Sequence, residues 1–429
     1  MSKFLKLGLT PKLTDTIQEN GWETPTEIQE NVIPYALQNK NILALSHAGS
    51  GKTGAFVLPI IHKLIVKPKL RSYVIIAPTR ELVEQIMDVI NKIGTAFSIL
   101  AISLIGGHNT EFQVKLLTRR KWHIVVATPG RIVYHICQSK AIDGDKIGCL
   151  ILDEADQLLS EKYSAEFSLL LENISSERMT WLFSATLNDN PEKLETFGLQ
   201  DAQRIELNSK YSKASTIDHA FIFIPDDHRD AYLIHLLKSS VFTNSWKDSY
   251  RLGKLINKIL ANEDEDVIAI YIHGHMRQTD RLKSLTNFKK NLSYVLVATD
   301  LAARGLDLPK VDLVINFDIP LKPTWSETSK AYVHRIGRTG RAGNYGRSLS
   351  FVTPYTATNL KMIESSLGEE IPQIPWQPNA VENYEDLIKS INNANRAIKE
   401  NLVDISNKEK NDRTKKVKKR MKKKRSNKN

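Results

Sequence analysis

Cysteine is scarce in this sequence and long apolar runs are missing, and both features restrict the class of protein. Only Cys137 and Cys149 occur among 429 residues, and they lack the spacing of metal ligands. We interpret them as buried thiols in a reducing compartment. No stretch approaches the roughly 18 consecutive apolar residues of a transmembrane helix, and the N-terminus lacks a sustained apolar segment. We therefore expect a soluble, unsecreted protein with no membrane association.

Net charge is almost absent from the main part of the chain. The sequence carries a formal charge of +12, but residues 408–429 contain 13 basic and two acidic residues, which leaves +1 for residues 1–407. The charge of this main part therefore identifies no partner. We expect residues 408–429 to be disordered when free, and two interpretations stay open: binding to a polyanion such as RNA, or an import signal.

Short apolar runs alternate with helix-length intervals through most of the chain. This alternation predicts parallel sheets joined by crossover helices, with the loops at the strand carboxyl ends gathered on one edge. With 41% hydrophobic residues, the length is sufficient for two or three domains. The predicted strands are 41–46, 73–77, 100–105, 124–127, 149–152 and 181–183 in the first half, and 220–224, 240–243, 269–272, 294–298, 313–317 and 348–352 in the second.

Three carboxylates follow the predicted strand 149–152. Asp153, Glu154 and Asp156 are adjacent or one residue apart. Carboxylates this close repel each other, so they need a cation, a basic partner or a shared proton. Taken alone, the segment fits either a metal site or a solvated acidic turn.

A glycine-rich loop follows the predicted strand 41–46 and precedes a helix. Its glycines let backbone N–H groups face a polyphosphate, and the helix N-terminus adds a favourable dipole. Lys52 supplies a positive charge, and the Thr53 hydroxyl can bind Mg²⁺. Together with Asp153 on another strand, the loop predicts a site for a nucleoside triphosphate and Mg²⁺. The loop residues are Ala48, Gly49, Ser50, Gly51, Lys52 and Thr53.

An aromatic residue and an amide precede this loop. Phe4 and Gln29 are separated by a helix-like stretch, and together they could stack on and hydrogen-bond a purine. The alternative is that Phe4 anchors the core and Gln29 is a surface amide.

Read in order, these segments resemble the motifs of DEAD-box RNA helicases. The resemblance covers about residues 4–375 and implies an α/β fold with two tandem RecA-like parallel-sheet domains. The periodicity and charge of the residues that follow predict a helical and disordered basic C-terminal extension. The motifs are GWETPTEIQ (21–29), GSGKT (49–53), PTREL (78–82), Gly106-Gly107, TPGR (128–131), DEAD (153–156), SAT (184–186), SVFTNSW (240–246), IHGHMRQTDR (272–281), VATDLAARGLD (297–307) and HRIGRTGR (334–341).

The resemblance and the composition together predict five segments in the chain. The second domain has no phosphate loop of its own, so one nucleotide is expected between the two domains. The expected segments are a first domain at 1–207, a linker at 208–214, a second domain at 215–375, an amphipathic helical extension at 376–407 and the basic tail at 408–429.

By resemblance, the first domain supplies most of the nucleotide site. Lys52 and Thr53 would bind the β- and γ-phosphates and Mg²⁺, and Asp153 would hold the same Mg²⁺. Glu154 would orient and activate the attacking water. Gln29 and Phe4 would contact the adenine of ATP.

The second domain would complete the site. Arg338 and Arg341 are similar to the arginine fingers of the family and would reach the γ-phosphate, and Asp307 would lie near the ribose. The residues expected to couple the nucleotide to the rest of the protein are Ser184, Thr186 and His334.

RNA would bind across another surface of both domains, mostly through its sugar-phosphate backbone. Such contacts read little sequence, and contacts to 2′-hydroxyls would favour RNA over DNA. The positions that match the family's RNA-binding residues are Arg80, Gly107, Thr128, Arg131, Arg281 and Thr299.

Some features depart from the family pattern or extend beyond it. Ser46 and Ala48 stand where Ala and Thr are usual, and His47 is interpreted as solvated. Residues 321–331 make the chain several residues longer before the final arginine motif, as a partner loop or as sequence drift. Apolar residues at steps of three and four from 384 to 405 predict an amphipathic helix, which packs on the second domain or binds a partner.

The sequence predicts an ATP-dependent RNA helicase that locally unwinds RNA, and its details are most similar to nucleolar helicases of small-subunit ribosomal RNA processing. We expect ATP and Mg²⁺ as cofactors, pre-ribosomal RNA and pre-ribosome assembly proteins as partners, a monomeric chain and a nucleolar location in the nucleus. Two alternatives stay open: an ATP-gated RNA clamp that does not unwind, and a DNA-directed ATPase with the same domain plan.

Overall fold

Two parallel seven-stranded sheets form the framework of the protein. The computed structural model describes residues 2–47, 49–185, 196–199, 201–207, 216–236, 240–260, 268–290, 295–300, 311–340, 345–375, 387–396 and 398. Among these residues, no helix has the length and apolar character needed to cross a membrane.

The first sheet has the order β3-β4-β2-β5-β6-β1-β7. All its described pairings are parallel, so the carboxyl ends of the strands share one edge. Its strands are Ile42–Leu45 (β1), Tyr73–Ile76 (β2), Ala101–Leu104 (β3), Ile124–Ala127 (β4), Cys149–Asp153 (β5), Met179–Ser184 (β6) and Gln203–Glu206 (β7).

The second sheet repeats this arrangement with the order β10-β11-β9-β12-β13-β8-β14. Each strand of the first sheet therefore has a counterpart seven strands later in the chain: β2 corresponds to β9, β3 to β10 and β4 to β11. The strands of the second sheet are Ile217–Phe223 (β8), Ser240–Thr243 (β9), Ala269–Ile272 (β10), Val295–Thr299 (β11), Leu313–Asn316 (β12), Gly346–Val352 (β13) and Gln373–Ile374 (β14).

Helices connect the strands and cover both faces of each sheet. The helices are Lys3–Lys6 (α1), Pro11–Glu19 (α2), Glu27–Leu37 (α3), Lys52–Val66 (α4), Arg80–Gly94 (α5), Thr110–Arg119 (α6), Pro129–Val133 (α7), Ala155–Leu158 (α8), Ser164–Glu172 (α9), Arg229–His235 (α10), Trp246–Leu260 (α11), Gln278–Lys289 (α12), Trp325–Ile336 (α13) and Ala357–Leu367 (α14).

The strands are apolar because helices bury them from both sides. Alternate residues of β2 enter two different clusters: Tyr73 and Ile75 pack with α3 to α5, whereas Val74 and Ile76 pack with α7 to α9. The helical residues 387–396 add Ile391 and Ala394 to the core of the second sheet. This part of the extension therefore packs on the second domain, which is one of the two alternatives that the sequence left open.

The expected fold of two tandem parallel-sheet domains is confirmed. The edge strands β7 and β14 are additional to those expected from the sequence. The expected linker 208–214 and tail 408–429 lie outside the described residues, as does most of the extension 376–407. The domain boundaries themselves stay a prediction.

Candidate nucleotide and RNA site

The glycine-rich loop lies between β1 and α4, at the carboxyl edge of the first sheet. Gly49 and Gly51 have φ angles of 80° and 97°, in the left-handed region that glycine adopts without strain. The Lys52 ammonium donates to the carbonyl oxygens of Ser46 (2.6 Å) and His47 (3.0 Å) and so holds the loop curled. The loop and the first turn of α4 therefore form a cradle for an anion.

Asp153 and Glu154 lie at the carboxyl end of β5, with Lys52 nearby. Burial, opposed by the charge of Lys52, raises the pKa of Asp153 to about 6. Burial and the neighbouring charge of Asp153 raise the pKa of Glu154 to about 7. Glu154 has a left-handed backbone with φ 51°, and its carboxylate accepts a hydrogen bond from the Gln157 amide. Two acidic groups are therefore held where ionisation is costly unless a cation approaches.

This pair of carboxylates fits a magnesium ion that also binds phosphate. Mg²⁺ uses one or two protein carboxylates and takes its other ligands from water and substrate phosphates. Among the described residues, no cluster of three or more His, Cys, Asp or Glu could hold a metal on its own. Asp153 and Thr53 both line the cavity beside the glycine loop, so they are the donors that the chain offers.

Gln29 links the N-terminal segment to the glycine loop. Its side-chain oxygen accepts from the Thr26 N–H (3.1 Å), and its side-chain nitrogen donates to the Gly51 carbonyl (3.1 Å). A Cβ atom at Gly51 would come 2.8 Å from this nitrogen and one at Gly54 2.6 Å, so glycine is needed for the close approach. An amide has two donors and two lone pairs, which leaves one of each for a base.

The structure revises the aromatic partner of Gln29. Phe4 has no exposed surface and belongs to the hydrophobic core of the first domain, and it does not line the cavity. Trp22 does line the cavity, next to Gln29 and Gly54. Phe4 therefore has the role of the core anchor, and we replace it by Trp22 as the candidate for stacking on the adenine.

Two side chains of the second domain reach the same cavity, which has a volume of about 720 Å³. Arg338 is 4% exposed, and its charge is close enough to affect both Glu154 and Lys52. His334 lies on α13, with its Nε2 atom 3.6 Å from the Asp156 carboxylate of the first domain. Three of the expected residues, Arg341, Asp307 and Thr186, lie outside the described residues, as does Ala48 of the glycine loop.

Ser184, at the end of β6, joins the acidic segment to the glycine loop. Its hydroxyl accepts from the Asp156 N–H (3.2 Å), and its carbonyl accepts from the Ser46 N–H (3.0 Å). Since Asp156 also contacts His334, these contacts form a continuous connection from the glycine loop to the second domain.

The four RNA-binding candidates of the first domain lie in the loops after β2, β3 and β4. Arg80 begins α5 and packs over the glycines after β3, because a Cβ at Gly106 or Gly107 would lie 2.9 Å from its guanidinium. Arg131 donates to the His108 carbonyl in the same loop (3.4 Å), and Thr128 follows β4 as the N-cap of α7. The structure therefore brings all four to one edge.

The two candidates of the second domain have different surroundings. Thr299 ends β11, the counterpart of β4, and is 8% exposed. Arg281 on α12 forms a salt bridge of 3.1 Å with Glu81 on α5, and both side chains are largely buried. Arg281 is thus engaged between the domains in this structure, and we revise its candidate role from holding phosphate to joining the domains beside Arg80.

Comparisons with known proteins agree with this geometry. A sequence model of the DEAD/DEAH box helicase family matches residues 26–194, and one described as the helicase conserved C-terminal domain matches residues 230–343. The probable ATP-dependent RNA helicase DDX47 of Homo sapiens is 36% identical over 384 residues, covering 88% of this chain and 82% of that protein. The chain belongs to the DEAD-box helicase family.

Another relative and two solved structures also match most of this DEAD-box helicase. The ATP-dependent rRNA helicase RRP3 of Debaryomyces hansenii is 38% identical over 384 residues, covering 88% of this chain and 78% of that protein. The structure of S. cerevisiae Dbp5 bound to RNA and ADP BeF3 superposes with a TM-score of 0.76 at 26% identity, covering 92% of this chain and all of that one. Mss116p bound to ssRNA and AMP-PNP gives a TM-score of 0.78 at 25% identity, covering 89% and 80%. The family expected from the sequence is confirmed.

The segment 321–331 is connected to the final arginine motif of this helicase through Asp300. Lys322 forms a salt bridge of 2.7 Å with the buried Asp300, which also pairs with Arg335 of α13. Burial alone would raise the pKa of Asp300, but the charges of Arg335 and Lys322 lower it. Leu321 and Trp325 in the same segment are exposed. Part of this segment is therefore tied to the fold, and the sequence offered no signal for that contact.

Proposed function

We propose that this DEAD-box helicase hydrolyses ATP in the cavity between its two domains and uses the cycle to separate short RNA duplexes. One observation carries the proposal: a glycine loop and buried carboxylates of the first domain share a cavity with Arg338 and His334 of the second. A site built from both domains is complete only when they are together. Hydrolysis would therefore depend on domain closure.

In the proposed site, Lys52 and the backbone N–H groups of the glycine loop bind the triphosphate. Thr53 and Asp153 would hold Mg²⁺, which neutralises charge on the phosphate oxygens when bound. Glu154, with its pKa raised to about 7, is suited to take a proton from the attacking water near neutral pH. Its hydrogen bond from Gln157 holds the carboxylate in one orientation.

Arg338 would stabilise the charge that develops on the γ-phosphoryl group. Gln29 and Trp22 would select adenine by hydrogen bonding and stacking. Ser184 and His334 would transmit the state of the nucleotide, because both contact Asp156. We propose the same roles for Arg341, Asp307 and Thr186 as the family pattern implies, on the sequence match alone.

RNA would lie along the edge formed by Arg80, Gly107, Thr128 and Arg131 and continue past Thr299. Contacts of this kind hold the sugar-phosphate backbone and carry little sequence information. An RNA clamp without unwinding is disfavoured by the presence of both Glu154 and Arg338 in one cavity.

We further propose pre-ribosomal RNA as the substrate, with pre-ribosome assembly proteins as partners. The relatives named as rRNA helicases support this choice. A nucleolar location, a monomeric chain and RNA binding by the basic segment 408–429 belong to the same proposal. Crosslinking the protein to cellular RNA and sequencing the bound fragments tests it, since enrichment of messenger RNA over ribosomal precursors would contradict the substrate.

The activity is tested with ATPase and strand-displacement assays on the same preparation. We expect RNA to stimulate hydrolysis, DNA of equal length to stimulate it much less, and a short RNA duplex to separate in the presence of ATP. Stimulation by RNA without displacement would favour the clamp, and equal stimulation by DNA would favour the DNA-directed ATPase.

A further inference from the structure

A group of aromatic rings lies at the carboxyl edge of the second sheet. Trp246 is the first residue of α11, directly after β9, and its ring centroid is 5.0 Å from that of His275 and 5.5 Å from that of His273. The two histidines flank Gly274 in the loop after β10. Tyr271 stacks on His273 with an interplanar angle of 7°.

The group is buried at one end and open to solvent at the other. His273 is 6% exposed, and its Nδ1 atom has no hydrogen-bond partner. Burial, followed by the charges of His275 and Arg281, lowers the pKa of His273 to about 4, so the ring is neutral at physiological pH. His275 is exposed and Trp246 is half-buried. Trp246 and His275, the two rings that reach solvent, form the ring platform.

The matching strand orders locate the ring platform relative to the proposed RNA path. In the first domain, Arg80 is the first residue of the helix after β2 and packs over Gly106-Gly107 after β3. In the second domain, Trp246 is the first residue of the helix after β9 and packs over the loop after β10. Trp246 therefore holds the place that corresponds to Arg80.

The strand between the two loops completes the correspondence. In each sheet the middle strand, β4 or β11, ends in threonine or is followed by it, at Thr128 and Thr299. The three loops that carry the proposed RNA contacts of the first domain thus have three counterparts in the second, and two of these counterparts carry the ring platform.

Basic side chains lie near the ring platform, together with the acidic Asp248 and Asp280. The exposed Lys247 follows Trp246 in the chain, and the charge of Arg281 is close enough to lower the pKa of His273. Exposed aromatic rings with basic neighbours are the combination that binds single-stranded nucleic acid, because every base can stack on a ring. A surface that held only the sugar-phosphate backbone would need no such rings.

We propose that the ring platform stacks on an unpaired base of the bound RNA and adds a base contact to an edge that otherwise holds the backbone. This inference rests on the proposed RNA-binding function. Stacking tolerates any base, so the platform would favour single-stranded RNA over a duplex without selecting a sequence. It would thereby stabilise the strand that remains after a duplex opens.

The test compares single-stranded RNA with an RNA of equal length in which several nucleotides are abasic, both in the presence of a non-hydrolysable ATP analogue. We expect Trp246→Ala to weaken binding of the complete RNA about tenfold. Its effect on the abasic RNA should be small. Trp246→Phe should restore most of the affinity, and His275→Ala should give a smaller loss with the same dependence on bases. Trp325→Ala, which removes another exposed tryptophan of this domain, is the control and should change neither affinity.

Two results would overturn the inference. An equal loss on both RNAs in Trp246→Ala would mean that the ring supports the fold or the backbone path. Unchanged binding of both RNAs would mean that the rings do not contact RNA, and it would favour a protein partner at this surface. Failure of the unaltered protein to bind either RNA would instead contradict the proposed function. Melting temperatures of the variants, measured alongside, identify a folding defect, and Trp246→Phe then remains as the informative variant.

Discussion

The carboxyl ends of β5 and β12, corresponding strands of the two domains, are surrounded by different charges. Asp153 and Glu154 at the end of β5 face a cavity, and burial raises the pKa of both. Asp318, just after β12, instead forms a salt bridge of 2.9 Å with Arg229 on α10. Asp318 at the end of the second sheet is therefore paired with a basic side chain, whereas at the end of the first sheet the effect of burial exceeds that of the neighbouring positive charges.

The loops after β1 and β8, which are corresponding strands of the two domains, also differ. After β1, two glycines with positive φ let the backbone curl before the 15-residue helix α4. After β8, residues 224–228 contain no glycine and lead into the seven-residue helix α10. Identical strand order therefore does not give identical function. The first domain keeps a cavity lined by buried carboxylates, whereas the second domain pairs its corresponding acidic residue with Arg229 and contributes Arg338 to the cavity of the first.

The first prediction concerns the catalytic chemistry of the first domain. Glu154→Gln keeps the shape of the side chain but cannot take a proton, so we expect hydrolysis to fall by about 10² to 10⁴ while ATP and RNA still bind. Lys52→Ala should instead lose nucleotide affinity. Steady-state ATPase and binding of a fluorescent ATP analogue separate the two variants, with Glu111→Gln at an exposed position as the control. If Glu154→Gln retained full turnover, a group other than Glu154 would have to take the proton from the attacking water.

The next prediction separates the two aromatic residues near Gln29. Trp22→Ala should weaken ATP binding about tenfold, because a stacking partner of the base is removed. Phe4→Leu should leave that affinity unchanged and lower the melting temperature, since Phe4 is fully buried in the core. Titration with a fluorescent ATP analogue and thermal unfolding are the two measurements. A loss of ATP affinity confined to Phe4→Leu would restore the original assignment.

The sequence was sufficient to predict both sheets and to select most of the residues that the structure brings to the shared cavity. Central parallel strands are apolar on both faces, so β1, β2, β4 and β5 appear as continuous apolar runs. The edge strand β7 was missed because only Ile205 among its four residues is buried, which gives no periodic pattern. Short motifs at strand ends were visible because glycine, lysine and carboxylates interrupt the apolar runs.

Contacts between distant segments could not be predicted. Glu81 and Arg281 meet only when the two domains come together, and neither has a local pattern that indicates a partner. The sequence showed that an aromatic residue, Phe4, precedes the site, but it could not show that this residue is buried. Its burial depends on how α1 packs. Trp22 lies within the motif GWETPTEIQ, and its closeness to Gln29 in sequence is the signal that could have indicated it.

A third prediction concerns the closed site of the second domain. Arg229→Ala leaves Asp318 without its salt bridge, so we expect the free energy of unfolding to fall by about 1 to 3 kcal/mol. ATP affinity should not change, because Arg229 does not line the shared cavity. Urea denaturation measures the loss. The matched control is Arg277→Ala, whose salt bridge with Asp280 is exposed and should contribute about 0 to 1 kcal/mol. Equal losses in the free energy of unfolding for both variants would contradict the distinction between the partly buried and the exposed salt bridge.

The smallest expected effect is on the pH dependence of stability without nucleotide or metal. The folded-state pKa values of about 6 for Asp153 and about 7 for Glu154 lie above the ordinary values. The protonated forms are therefore favoured in the folded state, and this stabilisation is lost as the pH rises through those values. The melting temperature should fall more steeply from about pH 5 to about pH 8 in the unaltered protein than in Asp153→Asn/Glu154→Gln. Parallel curves would show that the two groups titrate normally.

The most direct test of the divided site is Arg338→Ala in the full-length chain. Nucleotide affinity should remain within a few-fold of normal, because the phosphate-binding groups belong to the first domain. RNA-stimulated hydrolysis should fall by about 10³ to 10⁵, the range for loss of an arginine finger. Arg347→Ala, at an exposed position on β13 of the same domain, should change neither quantity. Full RNA-stimulated hydrolysis in Arg338→Ala would contradict a catalytic site shared between the two domains.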